Sequence, residues 1–489
     1  MTKKISQAVG HIITFYSFKG GTGRTMTLAN IACLLARRQL EGNKILMVDW
    51  DLEAPGLPWF FANIFQEPLA DVNTLPPEFQ EKPGLIDLFY ELDELTQKAV
   101  AKGKEQSEEA ALELVQTIEL EKFIISTEIP GLDLLKGGRF GEGYSQRVNT
   151  FDWEALYNRS PWLMTALAHR LAEQYRYVLI DSRTGITDTS GICTRIMPEI
   201  LVIVFTPNRQ SLTGVLDLIR RAVTYRKQSD DIRPLVVFPL PSRIDISQEV
   251  FYKDWRYGNR DRRIIGYQPQ FEEVFEDVYQ LPRCNLKPYF DDAQIQYVSD
   301  YAYGEKISVL DPQDGGRLDI TKSYEDFLGY LLQYDYPWEE STTKYFDVFM
   351  VYSAQDKAQV VTIAEKLSQQ GLTPWIDIEQ LRPGKHWRDN FLEAIFQAES
   401  VAMFIGPGGP EKWQMVELKS FIRQSIERGI PVIPVLLPGI DEVSEEWQFL
   451  EGVHGVNFKS LEDTEALDKL IWGITGKPPH KKRTRSRST

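Results

Sequence analysis

Cysteine is scarce: Cys33, Cys193 and Cys284 are the three in a chain of 489 residues. They lie far apart without metal-ligand spacing, which speaks against a disulfide framework and a thiolate zinc site. Histidine is nearly as sparse, five in all, and none has a catalytic neighbour in sequence. No apolar run approaches the ~18 residues of a membrane span. The opening Met-Thr-Lys-Lys-Ile-Ser has no apolar signal-peptide core, so a cytoplasmic location is expected. Positive charge is also in deficit: 55 Lys and Arg against 70 Asp and Glu leave a net −15, which argues against a generic nucleic-acid coat. The exception is the basic tail 477–489, polar and free of apolar anchors. It is expected to be disordered and solvated rather than to hold nucleic acid or membrane.

A composition of 43% hydrophobic and 26% charged residues suits a globular chain, and its length exceeds one ordinary core. Residues 1–335 alternate strand and helix patterns, which predicts an α/β domain with a doubly wound, mostly parallel sheet. Strands are expected at 11–18, 44–50, 177–182, 200–206 and 234–241, where near-continuous apolar runs suit buried parallel strands. An acidic helix-forming insert occupies 84–120, and a second insert, rich in aromatics and charge, occupies 246–280. Pro and polar residues around Tyr336-Pro-Trp-Glu-Glu-Ser-Thr-Thr343 break the pattern and predict a linker over 336–344. A second α/β alternation follows over 345–476.

The stretch Ser17-Phe-Lys-Gly-Gly-Thr-Gly-Arg-Thr25 stands between an apolar run and an Ala/Leu-rich helical pattern. Strand, glycine turn and helix start together make a phosphate cradle: backbone N–H groups curl round an anion and the helix N-terminus adds positive charge. Lys19, Gly20, Gly21, Thr22, Gly23, Arg24 and Thr25 are the expected nucleotide-binding residues, and the Thr25 hydroxyl suits Mg²⁺. The alternative is a glycine turn with no ligand.

This loop resembles the deviant Walker A motif of the ParA/MinD family, Lys-Gly-Gly-x-Gly-Lys-Ser/Thr, which implies ATP as ligand. Lys19 matches the family's extra lysine, which reaches a partner's phosphates across a nucleotide-sandwiched dimer, so a homodimer or higher homo-oligomer is implied. Position 24 departs, because Arg replaces Lys, and the two are not interchangeable; binding is better supported than fast hydrolysis. A bacterial group with Lys-Gly-Gly-x-Gly-Arg-Thr loops also carries the run Asp49-Trp-Asp-Leu-Glu-Ala-Pro-Gly-Leu57 found here.

Lys44-Ile-Leu-Met-Val-Asp-Trp-Asp51 is a strand ending in two acids, and strand carboxyl ends face the ligand in such sheets. The resemblance implies Asp49 for Mg²⁺ and Asp51 for the attacking water. Tyr177-Val-Leu-Ile-Asp181 reads as Walker B, with Asp181 directed to the metal. The following Ser182-Arg183-Thr184-Gly185 replaces the family's Thr-Pro-Pro-Gly, so Arg183 is either a charge-stabilising finger or the partner of an acid. Phe205–Ser211 and Pro239–Asp245 resemble base-contacting loops, with ordinary β–α turns as the alternative. The run Phe251–Tyr257 with Arg260, Arg262 and Arg263 suits single-stranded nucleic acid. The preferred expectation there is a helix whose Phe251 and Trp255, spaced i, i+4, pack on the sheet.

From Phe346-Asp-Val-Phe-Met-Val-Tyr-Ser353 onward the chain resembles a flavodoxin-like TIR domain. Its marks are Asp356, Thr373-Pro-Trp-Ile-Asp377, Leu381-Arg-Pro-Gly-Lys-His-Trp387, Phe404-Ile-Gly-Pro407, Pro431–Pro438 and Trp472-Gly-Ile-Thr-Gly476. Trp413 and Glu417, four apart, share one face of a helix. In NAD⁺-cleaving TIR domains such a pair supplies the catalytic glutamate, so the resemblance implies Glu417 as catalytic, Trp413 beside it, and NAD⁺ as substrate; a buried anchor with a solvated acid is the alternative. Loop 378–387, with His386, is the expected lid. The combined expectation is an ATP-dimerised switch gating a TIR NAD⁺ hydrolase, as in anti-phage defence. The rivals are a non-catalytic TIR adaptor recruiting other TIR proteins and a ParA-like positioning ATPase.

Overall fold

His11–Tyr16 (β1), buried along its whole length, leads through a glycine-rich turn into the helix Arg24–Arg37. The computed structural model describes residues 10–38, 44–62, 74–103, 107–229, 231, 233, 235–281, 283–311, 320–333, 336–338, 346–376, 398–407, 430–440 and 454–478. The chain divides into two units, the first built from residues 9–230 and 235–340 and the second chiefly from 341–489.

In the first unit β1 is joined by Ile45–Asp49 (β2), Ile125–Ser126 (β3), Leu132–Leu135 (β4), Tyr177–Asp181 (β5), Ile200–Phe205 (β6) and Val236–Pro241 (β7). Their order is β3-β4-β2-β5-β1-β6-β7. All pairings are parallel except β3 with β4. The five expected strands are present, shorter by one or two residues. The short β3 and β4 escaped the sequence reading because they lie beyond the first insert, in runs too brief to show a period.

Alternation explains the packing. Ile12, Leu46, Val48, Val178 and Ile180 point to one face of the sheet. There they meet Leu88, Phe89 and Leu92 of the helix Leu85–Ala101, and Leu163, Leu167 and Leu171 of Leu163–Gln174. Each such side chain contributes about 1.5–3 kcal/mol on full burial. The acidic insert therefore covers the sheet, with its charge on the outer side of its helices.

One expectation fails at the second insert. Phe251, on the helix Glu249–Tyr257, is 55% exposed rather than packed on the sheet. At the start of the expected linker, Tyr336 and Trp338 are buried. Their rings stack at 4.2 Å, and Trp338 lies 4.7 Å from Tyr279.

The second unit is a five-stranded parallel sheet of Val348–Val351 (β8), Pro374–Trp375 (β9), Val401–Ile405 (β10), Val432–Leu436 (β11) and Val456–Asn457 (β12). Its order β12-β11-β10-β8-β9 is the flavodoxin-like one. Val348 and Met350 face one core with Ile363, Leu367 and Leu470. Phe349 and Val351 face the other, where Phe349 stacks on Trp375 at 4.5 Å. The helix Thr464–Thr475 ends at Gly476, whose φ of 68° suits a left-handed cap. Trp413, Glu417, Asp377, the loop 378–387 and residues 479–489 lie outside the described residues. Among the described residues no helix is long and apolar enough to cross a membrane.

Candidate functional site

The carboxyl ends of β1, β2, β5 and β7 open into one cleft of about 550 Å³, lined by the glycine loop, Asp51, Arg183, Ser242 and Arg243. Gly21 and Gly23 have φ of 74° and 85°, values that favour glycine over any residue with a Cβ. Gly23 precedes the helix Arg24–Arg37 and no side-chain oxygen caps it, so the first N–H groups of that helix stay available to an anion.

Arg24 is the electrostatic centre of the cleft. Only 6% exposed, it donates from Nε to Asp181 Oδ1 at 2.5 Å and from Nη2 to Asp51 Oδ2 at 2.9 Å. Thr25 Oγ1 donates to the other Asp181 oxygen at 2.7 Å. Burial works to lower the Arg24 pKa, but the carboxylates of Asp181 and Asp51 outweigh it, so the guanidinium is held even above its ordinary value. Asp49 stands beside Asp181 in the β2–β5 register. Its Oδ2 accepts from the Leu57 N–H at 3.1 Å, while Oδ1 is buried with no hydrogen-bond partner among the described residues. Burial, reinforced by repulsion from Asp181 and Asp51, pushes Asp49 well above the ordinary carboxylate range.

These oxygens fit Mg²⁺, a hard cation that takes carboxylate and hydroxyl ligands. Thr25, Asp181 and Asp49 are the groups that would hold it, and the unpartnered Asp49 Oδ1 is the buried acceptor such an ion would satisfy. Among the described residues no three His, Cys, Asp or Glu side chains form a metal cage by themselves; bound phosphates would supply the remaining ligands.

A stability prediction follows from Asp49. Its raised pKa means that the folded chain keeps a proton the unfolded chain releases near 3.8. Stability therefore falls as pH rises from that value through the raised one. Asp49→Asn preserves an acceptor for Leu57 and removes this loss. Without nucleotide, it is expected to melt higher at pH 7–8, by roughly 2–4 °C per kcal/mol recovered, and to match the parent near pH 4. Thermal unfolding across pH checks this, and an equal shift at both ends would clear the charge of responsibility.

The other expected residues are placed as follows. Lys19 is partly exposed with its Nζ 5.9 Å from the Phe18 ring. Arg183 lines the cleft and pairs with Glu53 at 2.5 Å, which is the acid-pairing alternative. Ser242 and Arg243 line the cleft. The loop Phe205–Ser211 caps a helix instead, with Asn208 Oδ1 accepting from the Ser211 N–H at 2.9 Å.

Sequence reasoning missed two features. The wall formed by Gln296, Tyr297 and Tyr301 comes from a segment after the last strand, docked by the Ile244–Gln296 bridge; the tyrosine-rich run 297–303 was its available signal. The packing of later residues around the acid-bearing strand end was also missed. Trp50, between Asp49 and Asp51, is 1% exposed against Phe89 and Trp153, and Tyr144 donates to the Leu52 carbonyl at 2.7 Å.

Residues 13–280 match the model of the CobQ/CobB/MinD/ParA nucleotide binding domain, and residues 348–471 match that of the TIR domain. Over 129 residues the chain is 26% identical to the NAD(+) hydrolase TirS of Staphylococcus aureus (strain MSSA476). That stretch is 26% of this chain and 46% of the relative, so the chain spans about half the length of the curated relative it matches. Solved structures similar to it include a plasmid partition protein of Borrelia burgdorferi B31 bound to AMPPNP, 18% identical with a TM-score of 0.38. A ParA family ATPase of Chlorobium tepidum TLS is 17% identical with a TM-score of 0.39. Each match covers 66% of this chain and 99% of the other. The chain belongs to the CobQ/CobB/MinD/ParA nucleotide-binding family and carries a C-terminal TIR domain.

Proposed function

We propose that ATP binding by the first unit gates hydrolysis of NAD⁺ by the TIR domain, and that the protein serves defence against phage. The observation that carries the reading is that the TIR match at 348–471 spans both Trp413 and Glu417. The named activity of the relative TirS supports NAD⁺ as substrate. The chemistry suits one carboxylate. Nicotinamide leaves NAD⁺ as a neutral group when the N-glycosidic bond breaks, so no general acid is needed. Glu417 then stabilises the ribosyl cation and holds a ribose hydroxyl while water attacks, giving ADP-ribose and a proton. Trp413 offers a flat face to the sugar or base.

In the first unit, the glycine loop and Arg24 bind the ATP phosphates. Mg²⁺, when bound, neutralises phosphate charge. Asp51 orients the attacking water, and turnover is slow because Arg24 stands where the family has lysine. Lys19, with no acid pairing it among the described residues, reaches the nucleotide of a second copy, so ATP assembles the dimer that brings TIR domains together.

The test is nicotinamide release from NAD⁺ by the full chain, with and without ATP and Mg²⁺, with assembly followed in the same samples. Release that rises with ATP is expected. Assembly without release would favour the adaptor role, and release indifferent to ATP would end the gating claim.

A further inference from the structure

The helix Glu249–Tyr257 buries an arginine and exposes aromatic side chains alongside the Glu249–Lys253 ion pair. Arg256, 2% exposed, anchors it inward. Its guanidinium donates to the Gln268 side-chain oxygen (3.1 Å), the Tyr252 hydroxyl (2.7 Å), the Lys287 carbonyl (3.0 Å) and the Asp291 carboxylate (2.6 Å). The outward face carries Val250, Phe251 and Tyr257, exposed by 60%, 55% and 46%. Burial favours the opposite arrangement, so an outward aromatic face above a satisfied buried arginine points to a partner.

Beside that face lies a short hairpin. Asn259 and Ile264 exchange backbone hydrogen bonds at 2.8 and 2.9 Å, and the tip between them, Arg260 to Arg263, is exposed. Arg262 ties the tip to the helix: it pairs with Asp254 at 3.0 Å and lies 5.3 Å from the centre of the Phe251 ring. Arg263 has φ of 53°, which residues with a side chain seldom adopt, and Arg209 donates to its carbonyl at 3.0 Å. The guanidinium groups of Arg260 and Arg263 form no ion pair among the described residues.

We propose that this face binds single-stranded nucleic acid, with Phe251 and Tyr257 stacking on bases and Arg260 and Arg263 holding phosphates. Two half-exposed rings beside a hairpin tip whose Arg260 and Arg263 carry no ion pair among the described residues match a strand that offers flat π faces and regular negative charge. An apolar protein surface would leave those cations unmatched. This surface does not depend on the TIR reading.

The experiment is fluorescence anisotropy of the full chain with labelled oligo-dT and oligo-rU of about 20 nucleotides, enough to span one such site, over a salt series. Binding that weakens with salt is expected. Arg260→Glu with Arg263→Glu should weaken it at least ~10-fold and flatten the salt slope by about 1.4, since each single-strand phosphate contact contributes roughly 0.7. Phe251→Ala with Tyr257→Ala should cost at least ~30-fold, with the slope unchanged. All four side chains are exposed, and retained ATP binding confirms folding. Absence of oligonucleotide binding, unchanged affinity in both variants, or a preference for duplex DNA would each overturn the proposal. So would binding to anionic vesicles, or self-association through this face, in place of oligonucleotide binding.

Discussion

Glu417→Gln is expected to slow nicotinamide release by about 10²–10³-fold, the typical cost of removing one preorganised group that stabilises transition-state charge. The substitution keeps the shape and a hydrogen-bonding oxygen and deletes only the negative charge. That charge matters most when the N-glycosidic bond has broken and the ribose carries a positive charge. NAD⁺ in the ground state already bears its charge on nicotinamide, so KM should change little while kcat and kcat/KM fall together. Trp413→Ala should do the reverse in emphasis, raising KM through lost stacking. Steady-state kinetics with ATP and Mg²⁺ present separate the two. An active Glu417→Gln protein would remove this residue from the chemistry and leave the TIR domain to another role.

Arg24→Met is expected to destabilise the nucleotide-binding unit by about 3–5 kcal/mol, the usual cost of deleting one partner of a buried ion pair. That is a large share of the ~5–15 kcal/mol that holds a domain folded. Without the guanidinium, Asp49, Asp51 and Asp181 face each other across the end of the sheet, and among the described residues the Thr25 hydroxyl and the Leu57 N–H remain as their hydrogen-bond donors. Carboxylates in that situation take up protons more readily than in the unfolded chain. Stability lost at neutral pH therefore returns as pH falls through their raised values. The defect should be full at pH 8 and visibly smaller at pH 5. Adding Asp181→Asn to Arg24→Met should recover part of it, because the cost lies in the uncompensated charge. Denaturant unfolding that resolves the two units measures this. A defect independent of pH, with no recovery in the double variant, would show that packing rather than charge sets the role of Arg24.

Much of this protein could be read from residue order alone. The glycine loop, the Asp49-Trp-Asp51 ending and the apolar run into Asp181 are local signals, each fixed within ten residues by backbone geometry and strand periodicity. They sufficed to place a nucleotide cleft at the carboxyl ends of parallel strands. The spaced marks from Phe346 to Gly476 likewise sufficed for the second sheet. Other features were decided only by tertiary structure, because they depend on residues far apart in sequence. Arg24 gains its meaning from Asp181, 157 residues away. The cleft wall at Tyr297 exists because Ile244 pairs with Gln296. Phe251 faces outward although its i, i+4 spacing with Trp255 suggested an inward face. Periodicity reports which side chains share a face of a helix. It cannot report which face the rest of the fold will cover, and here a buried arginine with four hydrogen-bond partners outweighed an aromatic ring.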